Sequence, residues 1–257
     1  MMSLLLIGSG VVAGGLGALV GVGGGVVLVP LLVLGFGVPM VEAVPVSLLC
    51  VVASSCGAAA AYVEQGLSDV RLAMVLEVAT VAGAIGGGAI AGLVAPWALA
   101  LTFGVFALYV SVQMMRASSI PEPAPDPTGA PQNVALGMGG SFIAGGLSAL
   151  LGVGGGPIKV PLMRYVMNVP FRRASATSNL MIGVTGAASV LTYALAGYLR
   201  LELAAPLVVG VLAGAMLGAR VMQRVSIPIL KRVLAMVLLA VAGQMLWKGG
   251  VALWPVH

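Results

Sequence analysis

Two glycine runs of identical sequence are the residues in this chain whose type and spacing best suit chemistry. Gly21–Gly25 and Gly152–Gly156 both read GVGGG, and both lie inside strongly apolar stretches. A helix that begins directly after such a run presents free N–H groups and the positive end of its dipole at one point. Because glycine has no Cβ, a ligand can approach that backbone closely. The runs therefore predict two half-helix N-termini that could bind an anion. The alternative is close helix packing, for which membrane helices also use small residues.

Polar residues near the runs extend the candidate anion site. Pro157 occupies the first position of the predicted second half-helix, where proline suits a helix start. Lys159 follows it, and a lysine inside a membrane segment is a functional candidate unless its side chain extends to the interface. The candidate substrate-binding residues are Gly23, Gly24, Gly25, Ser47, Gly154, Gly155, Gly156, Pro157, Lys159, Thr177, Ser178 and Asn179.

The hydroxyl and amide residues of that set have two interpretations. Ser47 and Thr177–Asn179 lie near the predicted start of the next helix in each half, so they could donate to anion oxygens or cap the helix. Glu77 is the one carboxylate well inside a predicted span. It could carry a proton in coupled transport, or it could balance the charge of Arg71 or Lys159, and the sequence does not rank these roles.

A single offset relates the two halves of the chain. The offset that aligns Gly21 with Gly152 also aligns other residues far from the runs, and the matched pairs are Pro39 with Pro170, Ser47 with Ser178, Tyr62 with Tyr193, Gly66 with Gly197, Gly83 with Gly214, and Gln113 with Gln244. So many matches at one offset indicate an internal duplication. We therefore divide the chain into a first repeat (1–116), a proline-rich linker (117–131) and a second repeat (132–257).

The composition places both repeats in a lipid bilayer. Apolar residues make up 60% of the chain and charged residues only 7%, whereas soluble proteins carry about 25% charged residues. The basic residues lie mostly at segment ends and form no cluster with aromatic residues, so no nucleic-acid partner is expected. The only histidine is His257, and carboxylates are scarce. These features argue against an enzyme, and we expect no cofactor and no metal.

The apolar segments predict an all-α polytopic fold. The expected helical segments are 2–20, 26–37, 42–63, 70–94, 97–115, 133–151, 157–168, 173–195, 203–224 and 229–247. The segment around each GVGGG run could be one long kinked helix or two half-helices. If each first element enters the membrane and returns, nine Lys and Arg residues share one side and only Arg200 and Lys248 lie on the other. The positive-inside rule favours that arrangement, in which the two repeats are inverted relative to each other.

The motifs together resemble a known family. GVGGG followed after four residues by Pro30-Leu31, its second copy before Pro161-Leu162, and RASATS at Arg173–Ser178 are similar to the sulfite exporter TauE/SafE family of membrane permeases. The resemblance covers nearly the whole chain. It implies export of sulfite, sulfoacetate or related organosulfur anions, with the glycines and Lys159 on the substrate path. The first repeat departs from the pattern, because Pro45-Val46 stand where the second repeat has Ala176-Thr177.

These observations predict a multi-pass transporter of the inner membrane. We expect two inverted repeats, each with a broken or re-entrant glycine-containing helix and three transmembrane helices. The expected partners are a small anionic substrate and the lipid bilayer, and the glycine-rich helix faces are compatible with a homodimer. The alternatives are an anion channel and a membrane scaffold that transports nothing.

Overall fold

The computed structural model describes residues 2–20, 24–116, 131–221 and 227–253, and within these ranges the elements are helices joined by short turns, with no strand. Gly23 and linker residues 117–130 lie outside the described residues. The α-helices are α1 (Met2–Val20), α2 (Gly25–Pro30), α3 (Met40–Glu64), α4 (Val70–Ala91), α5 (Pro96–Arg116), α6 (Val134–Leu151), α7 (Gly156–Pro161), α8 (Phe171–Leu195), α9 (Leu201–Val221) and α10 (Ile227–Leu253). The predicted all-α fold is confirmed.

Several helices have the length and composition of membrane spans. Among the described residues, six helices qualify, and they are Met40–Glu64, Val70–Ala91, Pro96–Met115, Val134–Leu151, Phe171–Leu195 and Arg232–Val251. Large apolar side chains such as Leu93, Leu195 and Val209 point outward, and lipid is the environment that stabilises such a surface. The protein is therefore a multi-pass membrane protein.

The helix that follows each glycine run is short and distorted. The residues that precede α2 and α7, Gly24 and Gly155, have left-handed φ angles of 73° and 76°, which glycine adopts without strain. Both helices end at a proline, Pro30 or Pro161, and each continues into a π-helical turn, Leu31–Gly35 or Leu162–Val166. Because proline cannot donate its backbone hydrogen bond, it loosens the helix at the same point in both halves.

The second broken element folds back on itself. At the start of α6, the Gln132 N–H donates to the Met167 carbonyl at 3.0 Å, and the Asn133 side-chain amide donates to the Val166 carbonyl at 3.1 Å. A single kinked span would separate these residues by about 30 Å. Residues 132–167 therefore form a helical hairpin with the second glycine run at its tip.

Helices of one half pack mainly on helices of the other half. Four helix pairs make these contacts: α1 with α9, α3 with α8, α4 with α6, and α5 with α10. Two of these interfaces depend on glycine, because a Cβ at Gly83 would overlap the carbonyl oxygen of Phe142 and one at Gly214 would overlap that of Val11. The glycines allow the helix backbones to touch, as small residues do in membrane bundles.

Candidate functional site

A buried lysine lies at the start of the second broken helix. Lys159 is the fourth residue of α7 and is 1% exposed. Its ammonium Nζ donates to the hydroxyl of Thr185 on α8 at 2.7 Å and lies 3.7 Å from Oε2 of Glu77 on α4. Of the two partners that the sequence suggests for Glu77, the structure places Lys159 beside it. We call Glu77, Lys159 and Thr185 the charge cluster.

Thr185 connects the two charged groups of the cluster. Its hydroxyl lies 2.5 Å from Glu77 Oε1 and 2.9 Å from the carbonyl of Met181, one turn earlier in α8. A hydroxyl has one proton, so these two acceptors are alternatives. Glu77 Oε2 is buried and has no hydrogen-bond partner among the described residues. One carboxylate oxygen is therefore held by Thr185, and the other faces only the lysine charge.

A second polar group lies beside the start of α7. A Cβ built at Gly155 would lie 3.4 Å from both Lys159 Cε and Ser148 Cβ, so the lysine stem and the serine flank this glycine. Ser148 is 1% exposed, and its hydroxyl has no partner among the described residues. The first helical hydrogen bonds of α7 come from Ile158 and Lys159 to the Gly155 carbonyl. Because Pro157 has no N–H, the Gly156 N–H is the donor of α7 that lacks an intrahelical acceptor. A helix N-terminus, an ammonium and a free hydroxyl thus converge, and all three favour an anion.

The charge cluster costs stability. Taking a carboxylate and an ammonium out of water carries a desolvation penalty of several kcal/mol per ion. Their mutual attraction offsets this penalty only when the geometry is excellent. Ionisable groups inside membranes are accordingly rare and usually functional. The cluster is therefore a candidate functional site.

The other half of the molecule has no equivalent of the charge cluster. The repeat counterparts of Lys159, Glu77 and Thr185 are Leu28, Val208 and Ser54. Leu28 is fully buried in an apolar cluster against which Val208 packs. The charged groups therefore lie beside the second run, and the counterpart of Lys159 in the first half is surrounded by apolar side chains.

Predicted site residues of the first repeat connect the two broken helices. Gly24 and Gly25 are buried, and a Cβ at Gly25 would overlap the Gly152 carbonyl oxygen. Ser47 donates its hydroxyl to the same Gly152 carbonyl at 2.8 Å. Gly154, Gly156 and Pro157 are also buried, on the second run beside Lys159, whereas Gly23 lies outside the described residues.

The remaining predicted residues lie farther along α8. The Thr177 hydroxyl accepts the N–H of Asp69 at 3.0 Å, and the Asn179 side chain donates to its own helix at Ser175. Ser178 is buried, with no partner for its hydroxyl among the described residues. It precedes Thr185 by two helical turns, about 10 Å. The structure does not bring these three residues to the charge cluster.

The sequence reasoning did not select Thr185 or Ser148. A usable signal exists for both, because Ser178 and Thr185 on α8, like Ser141 and Ser148 on α6, are seven residues apart on one helix face. All four residues are buried. Two hydroxyl residues seven positions apart in an apolar helix therefore indicate the polar face of that helix.

An apolar helical bundle that encloses a charged pair beside a broken helix is typical of membrane transport proteins. The sequence profile of the family described as sulfite exporter TauE/SafE matches residues 6–245. The chain belongs to this family and is a membrane transporter.

Curated relatives agree with that classification. The probable membrane transporter protein YunE of Bacillus subtilis is 25% identical over 97% of this chain and 99% of its own length. A probable membrane transporter protein of Xylella fastidiosa is 27% identical over 97% of both chains. The probable membrane transporter protein MamO of Magnetospirillum gryphiswaldense is 30% identical over 47% of this chain and 20% of its own length. No solved structure matches this chain.

Proposed function

We propose that this protein is a secondary transporter that exports a small sulfur-containing oxyanion across the inner membrane. Sulfite is the substrate that the family description names, and sulfoacetate and related organosulfonates are the further substrates that the resemblance implies. The observation that carries the proposal is the buried Lys159 ammonium at the start of α7, beside the Ser148 hydroxyl, which has no partner in the described ranges. An anion bound there would meet a full positive charge, a hydrogen-bond donor and the helix dipole while it is shielded from water.

We further propose that the two repeats are inverted and that they alternate access to this site. Their counterpart helices α3 and α8 support the inversion. Glu42 at the start of α3 pairs with Arg200, which follows α8, while Arg173 at the start of α8 pairs with Asp69, which follows α3. Helices joined in this way run antiparallel, as inverted repeats require.

Lys159 has a resident counter-charge that a substrate would replace. In the structure the Lys159 ammonium donates to Thr185 and lies 3.7 Å from the Glu77 carboxylate. The charges of the lysine and the glutamate cancel, so the site is neutral without an anion. An entering oxyanion would bind the Lys159 ammonium in place of Glu77 and accept a hydrogen bond from the Ser148 hydroxyl. The glycines at the hairpin tip allow the anion to approach the backbone.

The first test is thermal stabilisation of the purified protein by sulfite, sulfoacetate, methanesulfonate, sulfate and chloride. Because a ligand of the folded state stabilises it by RT ln(1 + [L]/Kd), an anion at a hundred times its Kd should contribute about 2.7 kcal/mol. We expect a selective shift for sulfite or a sulfonate, and uptake of the same anion by proteoliposomes. Lys248→Met, which removes an exposed lysine elsewhere, is the matched control and should keep the shift.

The alternatives predict different results in the same experiments. An anion that binds but never crosses the bilayer would favour the scaffold. A single-molecule conductance too large for a rocking cycle would favour the channel. A melting temperature unmoved by all five anions, together with no flux, would overturn the anion-transport proposal.

A further inference from the structure

We propose that Glu77 is a proton-binding site and that one proton moves with each anion. This inference rests on the proposed transport function. Its structural basis is the pairing of one carboxylate with one ammonium in an enclosed site where Glu77 Oε2 has no hydrogen-bond partner within the described part of the chain.

Counting charges in the cluster shows why a proton is needed. Without substrate, Lys159 and Glu77 sum to zero. A monovalent anion on Lys159 would leave the buried site with a net negative charge, and burying an uncompensated charge is strongly unfavourable. One proton on Glu77 returns the sum to zero. The empty site and the doubly loaded site are therefore the two states that can be enclosed.

The other charged groups on the elements around Glu77 have contacts of their own or lie near helix starts. Arg164, on the π-helical turn after α7, is buried against the rings of Tyr165 and Phe171, and Arg172 lies in the first turn of α8. The described helix α6 has no ionisable side chain. On α8, Arg173 lies three turns before Thr185 and is engaged with Asp69, and Tyr193 donates to the Ala149 carbonyl. On α4 itself, Arg71 lies near the helix start, more than a turn before Glu77. Within the described chain, Lys159 is the charged group in contact with the carboxylate.

The hydrogen bonds of the cluster suit this exchange. The proton would bind Oε2, the oxygen of Glu77 without a partner. Thr185 can then turn its own proton from Glu77 to the Met181 carbonyl, which already lies at 2.9 Å. The lysine is released to the anion, which also accepts the hydrogen bond of the new Oε2–H, and on release the proton leaves Oε2 with the anion.

The experiment measures proton movement together with anion movement in proteoliposomes that contain a pH-sensitive dye. Methanesulfonate is the probe, because it stays a singly charged anion at neutral pH, whereas sulfite titrates there and sulfoacetate carries two negative charges. We expect inward anion flux to acidify the lumen, to generate no current for methanesulfonate, and to show an apparent affinity that rises up to tenfold per unit fall in pH. Glu77→Gln, which mimics the protonated state, should exchange the anion with no acidification and no pH dependence, and its net uptake should fall because the empty site would enclose an unpaired Lys159 ammonium.

The outcomes separate this proposal from the proposed function. Anion flux with a current and no acidification in the wild-type protein would overturn proton coupling and leave anion transport intact. No flux of any of the five anions would overturn both. Because the wild-type measurement alone decides the question, it stands even if Glu77→Gln fails to fold.

A separate observation concerns two ion pairs at equivalent positions of the repeats. Arg200 Nε lies 3.0 Å from Glu42 Oε2, and an Arg173 guanidinium nitrogen lies 2.6 Å from Asp69 Oδ2. The offset that aligns the glycine runs also aligns Glu42 with Arg173 and Asp69 with Arg200. The pairs are therefore counterparts of each other, and each joins one repeat to the other.

The two pairs lie at opposite ends of the bundle. Glu42 is in the first turn of α3, and Asp69 follows the far end of this 25-residue helix, which is about 37 Å long. Both pairs are formed while Lys159 is buried, and its partner Thr185 lies between Arg173 and Arg200 along the chain of α8 and the turn after it. We infer that the pair Glu42–Arg200 and the pair Asp69–Arg173 are the two gates of the transport cycle, both closed in this structure.

The charges of the two gates are interchanged. The acid lies on α3 in one gate, and the base lies on its counterpart α8 in the other. Equivalent positions of the two repeats thus form an ion pair with the acid and the base exchanged. A charge swap within one gate should accordingly preserve it.

Accessibility of a single cysteine tests the gates without any substrate. The background is Cys50→Ala/Cys56→Ala/Ser148→Cys, labelled by a membrane-impermeant maleimide in right-side-out and inverted vesicles. Arg200→Ala should increase labelling about two- to five-fold from one face only, and Arg173→Ala by a similar factor from the other face only, as expected for partly exposed ion pairs. The matched controls are Arg172→Ala and Lys248→Ala, and Glu42→Arg/Arg200→Glu should restore slow labelling.

Labelling that stays slow in both variants, or that rises equally from both faces, would overturn the gate assignment. Neither result depends on which anion is carried. The gates can therefore fail while the transport proposal stands.

Discussion

Lys159→Met is expected to abolish anion-dependent stabilisation and transport, and to lower the free energy of unfolding by about 3–5 kcal/mol. The loss of stability follows from Glu77, whose buried carboxylate would keep its desolvation cost after losing the ammonium 3.7 Å away. Methionine has nearly the volume of the lysine stem, so a cavity contributes little. The measurements are the melting temperature with and without sulfite or sulfoacetate, and flux in proteoliposomes.

A second substitution separates the two effects. Adding Glu77→Gln to Lys159→Met removes the unpaired charge and keeps an amide oxygen for Thr185, so most of the lost stability should return while transport stays absent. Lys248→Met should change neither property. Recovery of transport in the double variant would exclude Lys159 from the anion site.

Gly83→Ala is expected to destabilise the bundle by about 1–3 kcal/mol or more, the usual cost of overpacking. A Cβ at this position would overlap the carbonyl oxygen of Phe142 on α6, and a backbone atom cannot move aside as a flexible side chain can. Helices α4 and α6 would have to separate. Because α4 carries Glu77 and α6 leads to Gly155, that movement should weaken transport as well. Thermal unfolding and flux measure the two effects.

The same helix supplies the control for this substitution. Gly86 is exposed, and no atom lies within 4 Å of a Cβ built there. Gly86→Ala should be neutral, or stabilising by up to about 1 kcal/mol through helix propensity. Gly214→Ala, at the repeat counterpart of Gly83, should be as damaging as Gly83→Ala. Equal melting temperatures for Gly83→Ala and Gly86→Ala would contradict the close backbone contact.

Most of the secondary structure could be predicted from the chain, because its signals are local. Long apolar runs have the length of a membrane span, and the breaks coincide with successive glycines and a following proline. The predicted segments 42–63 and 173–195 match α3 and α8 to within two residues. The fold-back of the second broken element also agrees with the distribution of basic residues at helix ends.

The candidate site could be predicted only in part. Lys159 and Glu77 are conspicuous because each is an isolated charge in an apolar segment. Thr185 and Ser148 carry no such signal, since single hydroxyl residues are common in membrane helices and often bond to their own backbone. Ser47 is the opposite case, because the sequence selected it for the site and the structure uses it in a backbone contact. It matches its repeat counterpart Ser178, yet its hydroxyl is committed to the Gly152 carbonyl.

The sequence by itself determined the membrane class, the family and the two glycine breaks, and it predicts the duplication, because each depends on composition or on spacing along the chain. Only the tertiary structure decided that Glu77 meets Lys159 through Thr185 and that two ion pairs join the repeats at opposite ends of α3. The physical reason is that these contacts depend on the rotation and depth at which α4, α7 and α8 pack. Backbone contact at glycines such as Gly83 sets that packing, and no local pattern in the chain specifies it.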